Sequence, residues 1–124
     1  RMGKFVKFLH RAAMWLFWPA VAVVTWGELT PSPPHVETHV WDKLLHFSAY
    51  FGLAGMAAWS LKSRRTLVLA VLGLIAFGGL LEFVQGMTGR DADVLDEVAN
   101  SLGATLGALT GLLLLRLVDR PARD

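Results

Sequence analysis

Four apolar blocks, each close to twenty residues long, constrain the fold of this chain more than any other feature of its sequence. They cover residues 12–29, 44–61, 67–86 and 98–118. A helix needs about 20 mostly apolar residues to cross the hydrocarbon core of a bilayer. The third block contains the run LVLAVLGLIAFGGLL, which has no polar face, whereas a helix of a soluble protein keeps a polar stripe. The sequence therefore predicts an all-α protein, an integral membrane four-helix bundle.

The composition agrees with a single membrane domain. The 124 residues are 54% hydrophobic with a mean hydropathy of +0.47, which is too apolar for an ordinary soluble domain. Because four spans make one bundle, we expect one domain over residues 1–124. The sequence has no cysteine, which excludes disulfides, a thiol nucleophile and cysteine-ligated metal sites.

The basic residues are spread unevenly along the chain, and their positions predict its topology. Ten of the twelve Lys and Arg residues precede the first block, separate the second from the third, or lie at or beyond the end of the fourth. The exceptions are Lys43 and Arg90. By the positive-inside rule, this bias places both termini in the cytoplasm and the two exceptions on the outer side. The net charge of +2 and the pI near 9.4 thus reflect topology, and we expect no nucleic-acid partner.

Three polar pairs interrupt the ends of the apolar blocks on the predicted outer side: Asp42 with His46, Glu82 with Gln85, and Asp96 with Asn100. Helical spacing puts the two members of each pair on one face. In each of three helices, one polar side chain lies about 6 Å inside the end of the span. Ionisable groups at membrane depth are costly, and their default interpretation is a functional site. The sequence therefore predicts one polar layer near the outer side of the bundle.

A stripe of small residues runs along the fourth block. Gly103, Gly107 and Gly111 recur at four-residue spacing, a pattern that lets two helix backbones approach closely. The stripe continues the face of Asp96 and Asn100. We therefore expect it to pack within the bundle rather than between two copies of the chain, although the oligomeric state stays open.

Acid–base chemistry is one interpretation of the polar layer. His46 and Glu82 are candidates for the general acid and base, because both are ionisable groups set inside apolar spans. Asp42 would orient the imidazole, and Asp96 completes the candidate catalytic set. The sequence contains no nucleophile elbow, phosphate-binding loop or HExxH motif, so a standard hydrolase signature is absent.

Recognition and metal binding are the other two interpretations. Arg90 and Lys43 would hold an anionic head group, with Asn100, Gln85 and Tyr50 as further substrate contacts. A histidine with two or three carboxylates would also suit a divalent cation, and mostly oxygen ligands favour Mg²⁺, Ca²⁺ or Mn²⁺.

Each group also has a simpler structural interpretation. Asp42 and Asp96 are good N-cap residues for the second and fourth spans. His46 and Glu82 could form a structural polar contact with each other, and Arg90 could neutralise its acidic neighbours. The residue types alone leave these alternatives open.

Three segments carry a resemblance to a known family: residues 41–50 (WDKLLHFSAY), residues 82–85 (EFVQ), and the spaced set Arg90, Asp93, Asp96, Asn100, Gly103 and Gly107. In this order they resemble the signature of the VanZ-like family, which is named for a protein linked to teicoplanin resistance. The resemblance covers about residues 41–115. It implies a small bacterial inner-membrane protein connected with the cell envelope or with glycopeptide susceptibility, and it supplies no agreed reaction.

The polar layer and the resemblance together lead to one expected function and one alternative. We expect an outer-facing cluster that binds a lipid-linked or cell-envelope substrate, or a glycopeptide, and that modifies it if the acid–base interpretation holds. The alternative is a non-enzymatic lipid- or antibiotic-binding protein, or a structural membrane subunit. Under either, the chain would be a multi-pass protein of the bacterial cytoplasmic membrane, surrounded by membrane lipids.

Overall fold

A computed structural model describes residues 3–30, 39–87 and 93–118. These residues form four helices, and no strand occurs among them. The helices are α1 (Lys4–Leu29), α2 (His39–Ser60), α3 (Arg64–Met87) and α4 (Val94–Val118). The prediction of an all-α protein with four helices is confirmed.

The helices extend beyond the apolar blocks at several ends. Helix α1 begins at Lys4, so Lys4, Lys7 and Arg11 belong to the same helix as the first block. Helix α4 begins at Val94, four residues before its block. Asp93 explains the earlier start, because its carboxylate Oδ1 accepts a 2.9 Å hydrogen bond from the backbone N–H of Leu95 and caps the helix.

Three of the four described helices are long and apolar enough to cross a membrane: α1, α3 and α4. Helix α2 does not reach the same apolarity over its described length, because its first turns carry Asp42, Lys43 and His46. The same helix contacts each of the other three and forms the closest pair with α4. Its polar residues can therefore be satisfied inside the bundle.

Helices α2 and α4 run in the same direction and form the closest helix pair of the bundle. The glycine stripe makes this possible. A Cβ at Gly103 would collide with the carbonyl oxygen of Phe47, and a Cβ at Gly107 would lie 2.7 Å from the Cα of Phe51. The stripe thus packs within the bundle, as the sequence predicts.

The far end of the same helix pair is fixed by a hydrogen bond. The indole N–H of Trp59 donates to the carbonyl oxygen of Gly111 over 2.9 Å. On another side of α2, the ring Nδ1 of His10 in α1 lies 3.0 Å from the carbonyl oxygen of Trp59. Helix α1 is thereby attached to α2, whereas it makes little direct contact with α4.

Many large apolar side chains point outward from the bundle, and alanines make up about half of the buried apolar residues in its interior. Trp15 is 80% exposed and Trp26 is 72% exposed, whereas Ala54 and Ala104 are fully buried. A soluble protein rarely presents so many large apolar groups to water. The arrangement suits a bundle surrounded by lipid, where close backbone approach rather than large core side chains holds helices together.

Replacing Gly107 with alanine is expected to lower the free energy of unfolding by about 2 kcal/mol, because overpacking a close contact costs about 1–3 kcal/mol. The added methyl group would meet the backbone of Phe51. Gly73→Ala in α3 is the matched control, since a Cβ there has no neighbour within 4 Å. Denaturant-induced unfolding of the detergent-purified protein, followed by circular dichroism, measures both. Equal stability of the two variants would contradict the packing role.

Candidate functional site

A group of polar side chains meets where α1 ends, α2 begins, α3 ends and α4 begins. We call it the polar cluster, and it consists of Glu28, Asp42, Lys43, His46, Tyr50, Glu82, Gln85, Asp93, Asp96 and Asn100. All three predicted pairs belong to it. His46, Glu82, Gln85, Asp96 and Asn100 are buried although the surrounding spans are apolar. The structure therefore brings the predicted polar layer together at one end of the bundle.

His46 lies at the centre of the polar cluster and is only 6% exposed. Its ring Nδ1 lies 2.9 Å from Oδ1 of Asn100 and 3.0 Å from Oε1 of Glu28. Both neighbours are acceptor oxygens, so we assign the ring proton to Nδ1, which donates to them. The other nitrogen, Nε2, lies 3.8 Å from Oδ1 of Asp42 and 3.6 Å from Oδ2 of Asp96. The imidazole is thus fixed on one side and faces two carboxylates on the other.

Lys43 ties the start of α2 to the start of α4. Its Nζ donates to Oδ2 of Asp93 over 2.7 Å and to Oδ1 of Asp96 over 3.1 Å. Asp96 consequently uses one oxygen for Lys43 and turns the other toward His46. Since Asp96 is almost fully buried, this ammonium is the main compensation for its charge among the residues that the structure describes.

Glu28 is a member of the cluster that sequence reasoning missed. Its carboxylate contacts His46 and accepts a 3.3 Å hydrogen bond from the hydroxyl of Tyr50, and its backbone carbonyl accepts one from the side-chain amide of Gln85. The signal was present, because Glu28 is an acidic residue in the last turn of the first apolar block. The signal is weak, because no second ionisable residue lies three or four positions from Glu28 and Glu28 is outside the segments that resemble the VanZ-like family.

Glu82 belongs to the cluster but does not contact His46. Its Oε1 accepts a 2.6 Å hydrogen bond from the backbone N–H of Asp93, at the beginning of α4. No hydrogen bond or ion pair joins Glu82 to His46 in the part of the chain that the structure describes. Glu28 holds the position beside the imidazole that the sequence interpretation gave to Glu82. The predicted acid–base pair is therefore not in direct contact.

The capping interpretations of Asp42 and Asp96 do not match the helix boundaries. Helix α2 begins at His39, so Asp42 lies inside its first turn rather than at the N-cap. The residue that caps α4 is Asp93, and Asp96 lies within the helix with its side chain buried. Both carboxylates are therefore available to the polar cluster.

Glu97 follows Asp96 along α4 and lies at the edge of the polar cluster, between α3 and the side-chain amide of Asn100. Its carboxylate lies against Gly78 and Gly79 of α3, where the missing side chains leave room for it. It makes none of the contacts to Lys43 or His46 found for its neighbour. The predicted anion contact Arg90 lies outside the described residues.

Three residues of the cluster have the composition of a metal site. Asp42, His46 and Asp96 each present one potential ligand atom, and these atoms lie within 4.8 Å of one another. Carboxylate oxygens and a neutral imidazole nitrogen are ordinary ligands of divalent cations. Asp42 is 23% exposed at its side chain, whereas the other two are 6% exposed, so Asp42 stands on the accessible side of the trio.

An apolar groove of about 560 Å³ lies between three helices on the side of the bundle where α1 and α3 face each other. Residues 14–21 of α1, 57–61 at the end of α2 and 70–77 of α3 line it. Its nearer edge lies seven residues from Glu28 along α1 and five from Glu82 along α3, or about 10 Å and 8 Å. The groove therefore approaches the polar cluster from the apolar middle of the bundle.

Comparison with known proteins identifies one similar sequence of unknown function. An uncharacterized protein of Schizosaccharomyces pombe is 39% identical over 84 residues, which cover 64% of this chain and 52% of the relative. The chain thus spans about half the length of the relative that it matches. No family model and no solved structure matches the chain.

Lys43 and Asp96 are expected to be energetically coupled. Lys43→Met should destabilise the protein by about 1–3 kcal/mol, because it removes the cation beside a buried carboxylate. In an Asp96→Asn background, the same substitution should cost less, because the charge that Lys43 compensates is gone. Unfolding of the four proteins of this double-mutant cycle gives the coupling energy. Additivity within about 0.5 kcal/mol would show that the contact is energetically irrelevant.

Proposed function

We propose that this protein is a VanZ-like membrane protein whose polar cluster binds the head group of a lipid-linked cell-envelope substrate. The observation that carries the proposal is the buried, oriented imidazole of His46 inside a polar cluster at the end of an apolar bundle. Ionisable groups at this depth are expensive, and a bundle that needed only stability could pack apolar residues there instead.

Two parts of the molecule correspond to the two parts of a lipid-linked substrate. The polar cluster offers Lys43 as an anion contact and Asp42 as a partly exposed acceptor. The apolar groove has the size range of ligand sites, which is about 300–1,000 Å³, and would hold a hydrocarbon chain. The proximity of the groove to Glu28 and Glu82 supports a substrate that uses both.

Binding is favoured over acid–base chemistry by the contacts of Glu82. General acid–base catalysis needs each group to be within hydrogen-bond reach of the proton that it transfers. Glu82 is instead engaged with the backbone at the beginning of α4, and His46 with Glu28 and Asn100. The proposed role of Glu82 is therefore to position α4, and through it Asp96 and Asn100, around the site.

The membrane setting of the proposal follows the apolarity of α1, α3 and α4. We propose that α2 also crosses the membrane, enclosed by the other three helices, and that the polar cluster faces the outer side with both termini in the cytoplasm. The uneven distribution of Lys and Arg supports this orientation. By the VanZ-like resemblance, the membrane would be the bacterial cytoplasmic membrane, and the biological effect would be tolerance to teicoplanin.

Expression in a glycopeptide-susceptible bacterium tests the proposed function. The wild-type protein is expected to raise the minimum inhibitory concentration of teicoplanin several-fold, and His46→Gln is expected to abolish the effect at equal protein level in the membrane. His10→Gln is the matched control, because it makes the same substitution at the opposite end of the bundle, where the ring Nδ1 lies against the carbonyl oxygen of Trp59. Full tolerance with His46→Gln would refute the role of the cluster. A parallel loss of tolerance and of membrane protein would favour a structural subunit.

Filling the apolar groove is expected to weaken the same phenotype without unfolding the protein. Gly73 lines the groove, and a Cβ there has no neighbour within 4 Å, so Gly73→Leu would occupy the space intended for a hydrocarbon chain. Gly52→Leu is the control, since Gly52 also has open space around its Cα but does not line the groove. Teicoplanin tolerance and thermal stability in detergent are measured for both. An unaffected phenotype for Gly73→Leu would remove the groove from the proposal.

A further inference from the structure

We propose that Asp42, His46 and Asp96 bind a divalent cation, and that this cation is what allows the acid-rich cluster to hold an anionic head group. The inference rests on the proposed function for the nature of the substrate, but the cation site stands on its own geometry. Its three ligands come from two helices, α2 and α4, that the glycine stripe holds at a fixed separation.

The orientation of His46 is that of a metal ligand with a second-shell partner. Metal-binding histidines usually donate their other ring N–H to a carboxylate or carbonyl group, which fixes the tautomer and aims the free nitrogen. Nδ1 of His46 has two such partners, Oδ1 of Asn100 and Oε1 of Glu28. Nε2 faces the carboxylates of Asp42 and Asp96, its two ion-pair partners, and a cation bound there would take the place of a proton on this nitrogen. Because the His46 side chain is only 6% exposed, Nε2 faces the cluster rather than solvent.

The separations around Nε2 suit an ion better than direct contacts. Oδ1 of Asp42 and Oδ2 of Asp96 lie 3.8 Å and 3.6 Å from Nε2, which is beyond hydrogen-bond distance. Ligand atoms at about 2.1 Å from one cation lie about 3.0–3.5 Å from each other. A small inward movement of two aspartate side chains would therefore complete three metal bonds.

The proposed cation would offset the negative charge of the carboxylates in the cluster. Two carboxylates that face one imidazole repel each other and would repel a phosphate even more strongly. Lys43 offsets part of this charge, but it is already shared between Asp93 and Asp96. A divalent cation between Asp42 and Asp96 would reverse the local sign and leave coordination positions for phosphate oxygens. Divalent cations are commonly held in this way, by a few protein ligands together with the phosphates of the substrate.

The ligand set selects among the metals. Carboxylates suit Mg²⁺, Ca²⁺ and Mn²⁺, whereas an imidazole favours transition metals over Mg²⁺ and Ca²⁺. Mn²⁺ satisfies both conditions. It is also paramagnetic, and its free hexaaqua form has a sharp electron paramagnetic resonance signal that disappears on binding.

The test is a titration of the full chain with Mn²⁺ alone. The protein is purified in an uncharged detergent, stripped with a chelator and desalted, and bound Mn²⁺ is measured from the loss of the free-ion signal. We expect one Mn²⁺ per chain. Asp42→Asn and His46→Gln should each weaken binding about 10-fold or more, because each removes one of three ligands. His10→Gln, the same substitution at the opposite end of the bundle, should bind as the wild type does.

Each result decides the inference. Absence of one-to-one binding by the folded wild type, or equal weakening by His46→Gln and His10→Gln, would overturn it, since the second result indicates binding that does not depend on the polar cluster. Circular dichroism checks folding, and if one ligand variant does not fold, the other provides the comparison. Teicoplanin tolerance without Mn²⁺ binding would leave the proposed function standing and remove the cation. Mn²⁺ binding without teicoplanin tolerance would leave the cation site standing and remove the proposed function.

Discussion

The close approach of α2 and α4 is the constraint on which the rest of the structure depends. Three glycines let the backbone of α4 lie directly against Phe47, Phe51 and Gly55. This contact sets the register that brings Lys43 opposite Asp96 and His46 opposite Asn100. In lipid, where burial of apolar side chains gives little preference for protein over solvent, such backbone proximity is a main source of helix association. The geometry of the polar cluster therefore depends on three glycines, which have no side chain.

The polar cluster shows how a bundle tolerates charge at membrane depth. Three of the carboxylates accept a hydrogen bond from a different part of the bundle. Glu28 accepts one from the hydroxyl of Tyr50, Asp96 from the ammonium of Lys43, and Glu82 from the backbone N–H of Asp93 at the start of α4. Helix α2 carries the most polar part of the cluster and is enclosed by the other helices, whereas the more apolar helices present their large side chains outward. This difference in polarity between the helices follows from the cost of placing ionisable groups against hydrocarbon.

Much of this arrangement could be predicted from the sequence, and the exceptions have physical reasons. The four helices follow from block length, and the polar layer from helical rise, because both depend on local geometry alone. The sequence also predicts that the glycine stripe packs within the bundle, because the stripe lies on the same helix face as Asn100. The sequence does not predict that Glu28 contacts His46, because that contact depends on how the other helices pack around α2. Glu28 and Glu82 have similar depth and chemistry, and only packing distinguishes them.

The attachment of α1 has a mechanical consequence for the site. Helix α1 packs on α2 and makes little contact with α4, yet it supplies Glu28, one of the two groups that hold Nδ1 of His46. The other group, Asn100, belongs to the interlocked pair α2 and α4. A displacement of α1 would thus release one restraint on the imidazole and widen the apolar groove, while the aspartates around Nε2 kept their places. The two groups that hold Nδ1 therefore belong to different helix contacts, one between α1 and α2 and the other between α2 and α4.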